Sequence, residues 1–245
     1  MRILLLGGIG EAVPLAHWLA RRHELIYSLA GRTRSKADLP GTVRVGGFGG
    51  VAGLRDFLRQ NGIELLLDMT HPYADRISHH AVLAARQAGI PVWAYRRPPW
   101  RPEAGDNWWP FQDWSELRLA LAAFSRPLFT IGLEPLRHSR DIPPDQHWLV
   151  RCLEAQPEPS PRLTVLNATG PFSLEQELRL LRRWQVDILV SKNSGGTAAA
   201  AKLQAARLLG LPVLMWRRPE LPTADEEFNA VEIIAGRLGC CSSAH

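Results

Sequence analysis

The sequence has 245 residues, of which 46% are apolar and 22% charged, which suffices for one large or two small globular domains and excludes extended disorder. The net charge is +5, and all but three of the 29 basic residues are arginines. These arginines are spread thinly rather than interleaved with stacking aromatic residues, so the charge favours a small anionic ligand over nucleic acid.

Neither a membrane segment nor a metal site is predicted. No apolar run approaches the ~20 residues that span a bilayer, and the apolar start of the chain is broken by Gly7 and Gly8. The three cysteines have no Cys-x-x-Cys spacing, which argues against zinc and against a disulfide framework. We therefore expect a cytoplasmic protein with reduced thiols.

The chain opens with a predicted strand, a glycine turn and a helix. Residues 2–6 form the strand and are apolar from Ile3 onward, and residues 11–22 have apolar side chains at helical spacing. Such a unit begins a dinucleotide-binding fold, in which the glycines admit a pyrophosphate and the helix N-terminus offers free N–H groups. A simple glycine turn is the alternative, because Val13 stands where G-x-G-x-x-G has its third glycine. The candidate cofactor-binding residues of this turn are Gly7, Gly8, Gly10 and Glu11.

The end of the second predicted strand, 25–30, indicates which dinucleotide would bind. An NAD site places an acidic residue there for the ribose 2′-hydroxyl, and this chain has none. Instead it has hydroxyl and guanidinium groups, which suit a 2′-phosphate, so the sequence favours NADPH over NADH; the alternative is a solvated basic turn. The candidate residues are Ser28, Gly31, Arg32 and Thr33.

The rest of the first half repeats the alternation of strands and helices. We predict strands at 43–45, 63–68 and 91–95 and helices at 54–60 and up to Ala88, which Gly89 ends. A polar loop, Thr70-His71-Pro72-Tyr73-Ala74, follows the strand at 63–68. We predict a first domain over residues 1–97, followed by a linker over 97–111 that is rich in Pro and Trp.

The second half has the same order of strands, polar loops and helices and is predicted to be a second domain over residues 98–245. Helix 117–124 follows a capping box that starts at Asp113, and Ser173 caps a helix running to Trp184. Strands are expected at 128–131, 148–153, 163–168 and 188–190. The turn at Gly170 presents a helix N-terminus, and a second polar loop at 191–196 leads into helix 197–209.

An internal echo connects the two halves. Residues 84–98 read AARQAGIPVWAYRRP, and residues 205–219 read AARLLGLPVLMWRRP. The echo predicts two related α/β halves with mainly parallel sheets, and coincidence between two ordinary helix-Gly-Pro-strand units is the alternative. Ligands of open α/β sheets bind at the carboxyl ends of the strands, so we expect both polar loops to line one cleft.

Several enzyme classes are excluded by missing motifs. The chain has no P-loop, no G-x-S-x-G elbow and no Tyr-x-x-x-Lys. The pair His79-His80 is a poor metal site, because adjacent residues of a helix point in different directions.

A series of short segments extends over almost the whole chain. They are Gly7-Gly8-x-x-Glu11-Ala12, Ser28-x-Ala30-Gly31-Arg32-Thr33, Arg44-x-Gly46-Gly47-Phe48-Gly49-Gly50, Asp68-x-Thr70-His71-Pro72-Tyr73-Ala74, Gly170-Pro171-Phe172, Lys192-Asn193-Ser194-Gly195-Gly196, Lys202 and Arg218-Pro219. In this order, the segments resemble the precorrin-6A reductase family of cobalamin biosynthesis. That family usually has Thr in place of Ile9 and Arg in place of Val13.

The resemblance implies that NADPH reduces one double bond of precorrin-6A, giving precorrin-6B, with a hydride on one ring carbon and a proton on its neighbour. It implies a cobalt-free substrate, a monomer or weak dimer, and hand-over of the product to other corrin-pathway enzymes. The alternatives are the cobalt-containing substrate of the anaerobic branch and a non-catalytic two-lobed dinucleotide sensor.

By the same resemblance, the two polar loops supply the chemistry. Thr70 and Pro72 would lie beside the nicotinamide, and His71 and Lys192 are the candidate catalytic residues. A structural role for His71 is the alternative, and His71, Lys192 and water all stay open as the proton donor. The candidate substrate-binding residues are Tyr73, Gly170, Phe172, Lys192, Asn193, Ser194, Gly195 and Gly196.

Overall fold

A computed structural model describes residues 1–31, 39–156, 158 and 160–240. The chain divides into two compact units. Unit 1 comprises Met1–Pro98 together with Pro219–His245, and unit 2 comprises Pro99–Arg218. The prediction of an α/β protein with two Rossmann-like domains and mainly parallel sheets is confirmed.

Helices and strands alternate along the whole chain. In unit 1 they are β1 (Arg2–Gly7), α1 (Ala12–Leu19), β2 (Glu24–Leu29), β3 (Thr42–Val45), α2 (Gly50–Gln60), β4 (Leu65–Met69), α3 (Asp75–Ala88) and β5 (Val92–Tyr95). Unit 2 has β6 (Trp108–Phe111), α4 (Trp114–Leu121), β7 (Pro127–Phe129), a 3-10 helix (Glu134–Asp141), β8 (Trp148–Cys152), β9 (Leu163–Asn167), α5 (Leu174–Arg183), β10 (Ile188–Lys192), α6 (Ala201–Leu208) and β11 (Val213–Trp216). The chain then returns to unit 1 with β12 (Glu226–Phe228) and α7 (Val231–Cys240).

Both units contain a six-stranded parallel sheet with the same layout. The order in unit 1 is β3-β2-β1-β4-β5-β12, the Rossmann arrangement. Unit 2 has β9-β8-β7-β10-β11-β6, so the sixth place is taken by its first strand rather than by its last. Strand order reverses between β1 and β4 in one sheet and between β7 and β10 in the other, and these are the places where such sheets bind ligands.

Apolar residues on both faces of each sheet explain why the central strands are buried. In unit 1, Leu5 and Leu67 pack with α1 and α7 on one face, whereas Leu4 and Leu66 pack with α2 and α3 on the other. Unit 2 has a corresponding pair of clusters around Val190 on one face and Leu189 on the other. A parallel sheet covered on both faces needs such continuous apolar runs.

The echo in the sequence marks equivalent places in the two sheets. Its first copy covers the end of α3 and β5, and its second covers the end of α6 and β11. Each copy ends in Arg-Arg-Pro, and there the chain crosses between the units, after Pro98 in one direction and after Arg218 in the other.

Four predictions about the elements need correction. The linker 97–111 contains β6, an edge strand in which Pro110 is tolerated. Ser191 and Lys192 are the last residues of β10 rather than part of a loop. The 3-10 helix was not predicted. The second domain does not extend to residue 245, because β12 pairs with β5 and returns the C-terminal segment to unit 1.

Candidate functional site

The glycine turn after β1 brings two chain segments unusually close. A side chain on Gly7 would strike the ring of Tyr27, and one on Gly8 would lie 3.1 Å from the backbone nitrogen of His71. Gly10 differs from both, because it is exposed, its φ is not positive, and a Cβ there would meet no atom within 4 Å. Nothing in the protein therefore requires glycine at Gly10, whereas close approach of a ligand would.

The geometry of this turn fits a dinucleotide phosphate. The exposed residues Gly8 and Gly10 precede the N-terminus of α1 at the point where the strand order reverses. Glu11 is the N-cap residue of α1, and its carboxylate is paired with Arg97. Ile9, which stands where the family usually has Thr, is buried and packs in the apolar core of unit 1.

The end of β2 is described up to Gly31. Ser28 is buried, and Gly31 has a φ of 92°, which favours glycine. The candidate residues Arg32 and Thr33 lie outside the described residues.

Asp68 organises the polar loop after β4. Its buried carboxylate accepts hydrogen bonds from the backbone nitrogen and hydroxyl of Thr70, at 3.1 and 2.7 Å, and from the hydroxyl of Ser78 at 2.7 Å. Arg96, which follows β5, forms an ion pair with it at 3.0 Å. The side chain thus holds the Thr70 loop, the first turns of α3 and the end of β5 together.

His71 and Tyr73 form a small aromatic contact in this loop. The backbone nitrogen of Tyr73 donates to Nδ1 of His71 at 3.2 Å, and the ring centroids are 5.7 Å apart. Because Nδ1 accepts, a neutral His71 ring carries its proton on Nε2. Pro72 between them is buried.

In unit 2, the turn after β10 is fastened to the segment that enters the unit. The side chain of Asn193 pairs with the backbone of Trp100, accepting from its nitrogen at 2.8 Å and donating to its oxygen at 3.0 Å. The indole nitrogen of Trp100 donates to the oxygen of Gly196 at 2.9 Å. Arg218 donates from Nε to the carbonyl of Asn193 at 2.7 Å, so the segment that leaves the unit is attached to the same turn.

The other predicted residues of this turn adopt a tight backbone. Gly195 and Gly196 have φ values of 67° and 76°, and Ser194 is buried with its nitrogen donating to the carbonyl of Lys192. The ammonium of Lys192 lies 5.2 Å from the ring centroid of Trp216. Asn193 was predicted to contact substrate, and the structure gives its amide two partners on Trp100.

A cavity of about 260 Å³ lies at the carboxyl ends of β7, β8 and β9. Gly170 and Phe172, two predicted substrate-binding residues, line it, together with Thr130, Arg151 and Lys202. Arg151 lies over the ring of Phe172 and forms two hydrogen bonds with buried Glu177, at 2.9 and 3.0 Å. The cavity lining therefore combines apolar residues with the Arg151–Glu177 ion pair and one lysine, Lys202.

Residues 2–238 match a family model described as "Precorrin-6x reductase CbiJ/CobK". The chain belongs to the precorrin-6x reductase family. A precorrin-6A reductase of Rhodococcus erythropolis is 42% identical, covering 97% of this chain and 96% of that relative. A solved structure of CobK precorrin-6A reductase superposes with a TM-score of 0.89 at 39% identity, covering 100% of this chain and 98% of that one. A cobalt-precorrin-6A reductase of Methanothermobacter thermautotrophicus is 29% identical, covering 69% of this chain and 59% of the relative.

As a member of the precorrin-6x reductase family, the chain is an oxidoreductase of cobalamin biosynthesis, as the sequence resemblance implied. Among its described helices, none is long and apolar enough to cross a membrane.

Sequence reasoning passed over several polar residues of these sites. Asp68 and Lys202 were quoted in the family pattern without a role, and Thr130, Arg151 and Glu177 were not selected at all. Two features of the sequence could have drawn attention to them. Asp68 is an acidic residue at the end of an apolar strand, and Lys202 is one of only three lysines in the chain.

Proposed function

We propose that this protein catalyses NADPH-dependent reduction of cobalt-free precorrin-6A to precorrin-6B. The observation that carries the proposal is 42% identity, at 97% and 96% mutual coverage, to a relative named for that substrate. The cobalt-precorrin-6A relatives share 26–29% identity over 69–74% of the chain.

Unit 1 is the proposed nucleotide-binding unit. Gly10 leaves open space beside the N-terminus of α1, where the pyrophosphate would bind, and Gly8 in the same turn is exposed. Thr70, His71 and Pro72, next to Gly8, would flank the nicotinamide, and Asp68 fixes their loop. When bound, the cofactor supplies a hydride. In this proposal the chain contributes orientation and charge rather than covalent chemistry.

NADPH rather than NADH is proposed from the end of β2. The sequence from Ala30 to Arg34 contains no acid that would hold a free ribose 2′-hydroxyl, and it offers Arg32 and Thr33 to a 2′-phosphate.

Unit 2 is the proposed macrocycle-binding unit. Precorrin-6A carries several acetate and propionate arms, and Lys192 and Lys202 provide positive charge around the turn after β10 and the cavity, where Arg151 is paired with Glu177. Gly170 and Phe172 supply apolar contact within the same cavity.

The test is to incubate the protein with NADPH and cobalt-free or cobalt-containing precorrin-6A while following the nicotinamide absorbance. Loss of the absorbance band with cobalt-free precorrin-6A supports the proposal. Loss of the band only with the cobalt-containing macrocycle would mean that the protein is a cobalt-precorrin-6A reductase of the anaerobic branch. Binding of NADPH without oxidation in either mixture would mean a sensor.

Replacement of Arg32 tests cofactor preference. Loss of a charge-assisted contact to phosphate costs about 1.5–3 kcal/mol, so Arg32→Ala should raise the KM for NADPH at least tenfold and that for NADH less than twofold. Arg22→Ala, which removes an exposed arginine of unit 1, is the matched control and should change neither KM. Equal increases for both nucleotides would refute the role of Arg32.

A further inference from the structure

Lys202 is a buried lysine that lines the cavity of unit 2. It lies in the first turn of α6 and is 6% exposed. Its Nζ donates to the hydroxyl oxygen of Thr130 at 3.1 Å, and that hydroxyl donates in turn to the carbonyl of Val190 at 2.9 Å. Because the hydroxyl of Thr130 donates its hydrogen to Val190, it can accept a hydrogen bond from Lys202 but cannot donate one to it.

The surroundings of Lys202 favour its neutral amine form over its ammonium form. Among the described residues it has no ion pair, and the carboxylate of Glu177 is engaged by Arg151. Burial, the positive charges of Arg151 and Lys192, and the N-terminal end of the α6 dipole all disfavour the ammonium form. The negative charge of Glu177 acts in the opposite direction, and the net effect lowers the pKa of Lys202 to about 7.

The choice of lysine at this position is informative in this chain. All but three of the 29 basic residues are arginines, so composition alone favours arginine wherever a permanent positive charge suffices. A guanidinium keeps its proton at any physiological pH, whereas a buried ammonium can release one. Position 202 thus has the type of cation that can be a proton donor.

We propose that Lys202 is the proton donor of the reduction. The inference rests on the proposed function and adds to it the origin of the proton. One carbon of the macrocycle double bond receives a hydride with its electron pair, and the π electrons form a new C–H bond at the neighbouring carbon with a proton from Nζ. Lys202 is left as a neutral amine and regains a proton from water after product release.

The other candidate donors are less suited by their contacts. The Nδ1 of His71 accepts from the backbone of Tyr73, and His71 belongs to the nucleotide-binding unit. Both lysines of unit 2 lie near an aromatic ring, Lys192 at 5.2 Å from that of Trp216 and Lys202 at 5.8 Å from that of Trp100, but Lys192 is only half-buried. Lys202 combines burial, a place in the cavity lining and a hydroxyl that holds the Nζ in place.

The titration of Lys202 can be measured without cofactor or substrate. Because the chain has three lysines, Lys36, Lys192 and Lys202, a protein labelled with ¹³C at the lysine ε-carbons gives three resolved sites. The signal missing from Lys202→Arg should titrate with a midpoint near pH 7 in the wild-type protein. A midpoint above pH 9 would overturn the inference.

The kinetic test separates a proton donor from a simple counter-ion. Lys202→Arg keeps the positive charge but cannot release a proton, so kcat should fall by about 10²–10⁴-fold with little change in the KM for precorrin-6A. Wild-type kcat/KM for precorrin-6A should decrease as pH rises through about 7, because the donor of the free enzyme must be protonated, and this decrease should be absent in Lys202→Arg. In Lys192→Arg, whatever its absolute rate, the decrease should persist.

Two controls make the outcomes distinguishable. Hydrogen exchange in residues 99–218 of Lys202→Arg should match that of the wild type, which shows that unit 2 of the variant is folded. A Lys202→Arg enzyme with kcat within threefold of the wild type would make Lys202 a counter-ion and leave the proposed function intact. Wild-type protein that oxidises no NADPH with precorrin-6A would instead refute the proposed function itself.

Discussion

At the scale of single residues, Asp68 combines burial with several hydrogen-bond partners. Its carboxylate satisfies two hydroxyl groups, one backbone N–H group and the guanidinium of Arg96, all in a buried position. Removing the charge of Asp68 would leave Arg96 with Glu227, at 3.3 Å, as its carboxylate partner and would give the buried donors a weaker acceptor. The loop that carries Thr70 and His71 therefore depends on one side chain below it.

Asp68→Asn should lower the free energy of unfolding by about 2–3 kcal/mol, because a charge-assisted contact to Arg96 and an acceptor for Ser78 are both weakened. Denaturant titration measures the loss. The matched control is Asp56→Asn, whose carboxylate pairs with Arg55 at the surface and should matter by less than about 0.5 kcal/mol. Equal losses in the two variants would contradict the central role of Asp68.

At the scale of elements, the strength of each local pattern decided what the sequence could predict. The Thr70 loop followed from the strand before it and the helix after it, and the Ser173 cap is confirmed with its reciprocal bonds to Gln176. β6 was missed because Trp108–Phe111 contains a proline and gains its strand character from pairing with β11. β12 is three residues long, too short for a periodic pattern.

Side-chain directions were the least predictable feature of the site. The partner of the Asn193 amide is the backbone of Trp100, 93 positions away, and no local spacing reports such a contact. Lys202 lies on a helix, where lysine is usually solvated, and its burial follows from the folding of β7 and β10 beside it.

The shape of the turn after β10 should therefore depend on the side-chain amide of Asn193. Asn193→Ala removes both bonds to Trp100, and we expect at least a tenfold higher KM for precorrin-6A with an unchanged Kd for NADPH. Asn107→Ala is the control, because it also removes an asparagine–tryptophan hydrogen bond, to Trp109 at the surface. An unaltered KM in Asn193→Ala would show that the turn keeps its shape without the amide.

At the scale of the whole molecule, each sheet is completed by a strand from the far end of its own unit's sequence. β12 adds to β5 with Phe228 against Trp93, and β6 adds to β11 with Phe111 stacked on Trp216. Unit 1 is thus discontinuous in sequence, whereas unit 2 is continuous.

Phe228→Ala and Phe111→Ala should each destabilise one unit. Truncation of a buried phenylalanine costs about 3 kcal/mol, and hydrogen exchange should locate the loss. Phe228→Ala should accelerate exchange in residues 1–98, more than a hundred positions away in sequence, and Phe111→Ala should do so in residues 99–218. Acceleration across both units in either variant would mean that they unfold together.

The late position of β12 has a consequence for protein synthesis. While a ribosome is still translating residues 99–218, the free edge of β5 exposes backbone N–H and C=O groups that a passing strand can pair with. The nucleotide half, although made first, can be finished only after the other half has emerged. Nascent chains of this protein should therefore need shielding at that edge for most of their time on the ribosome.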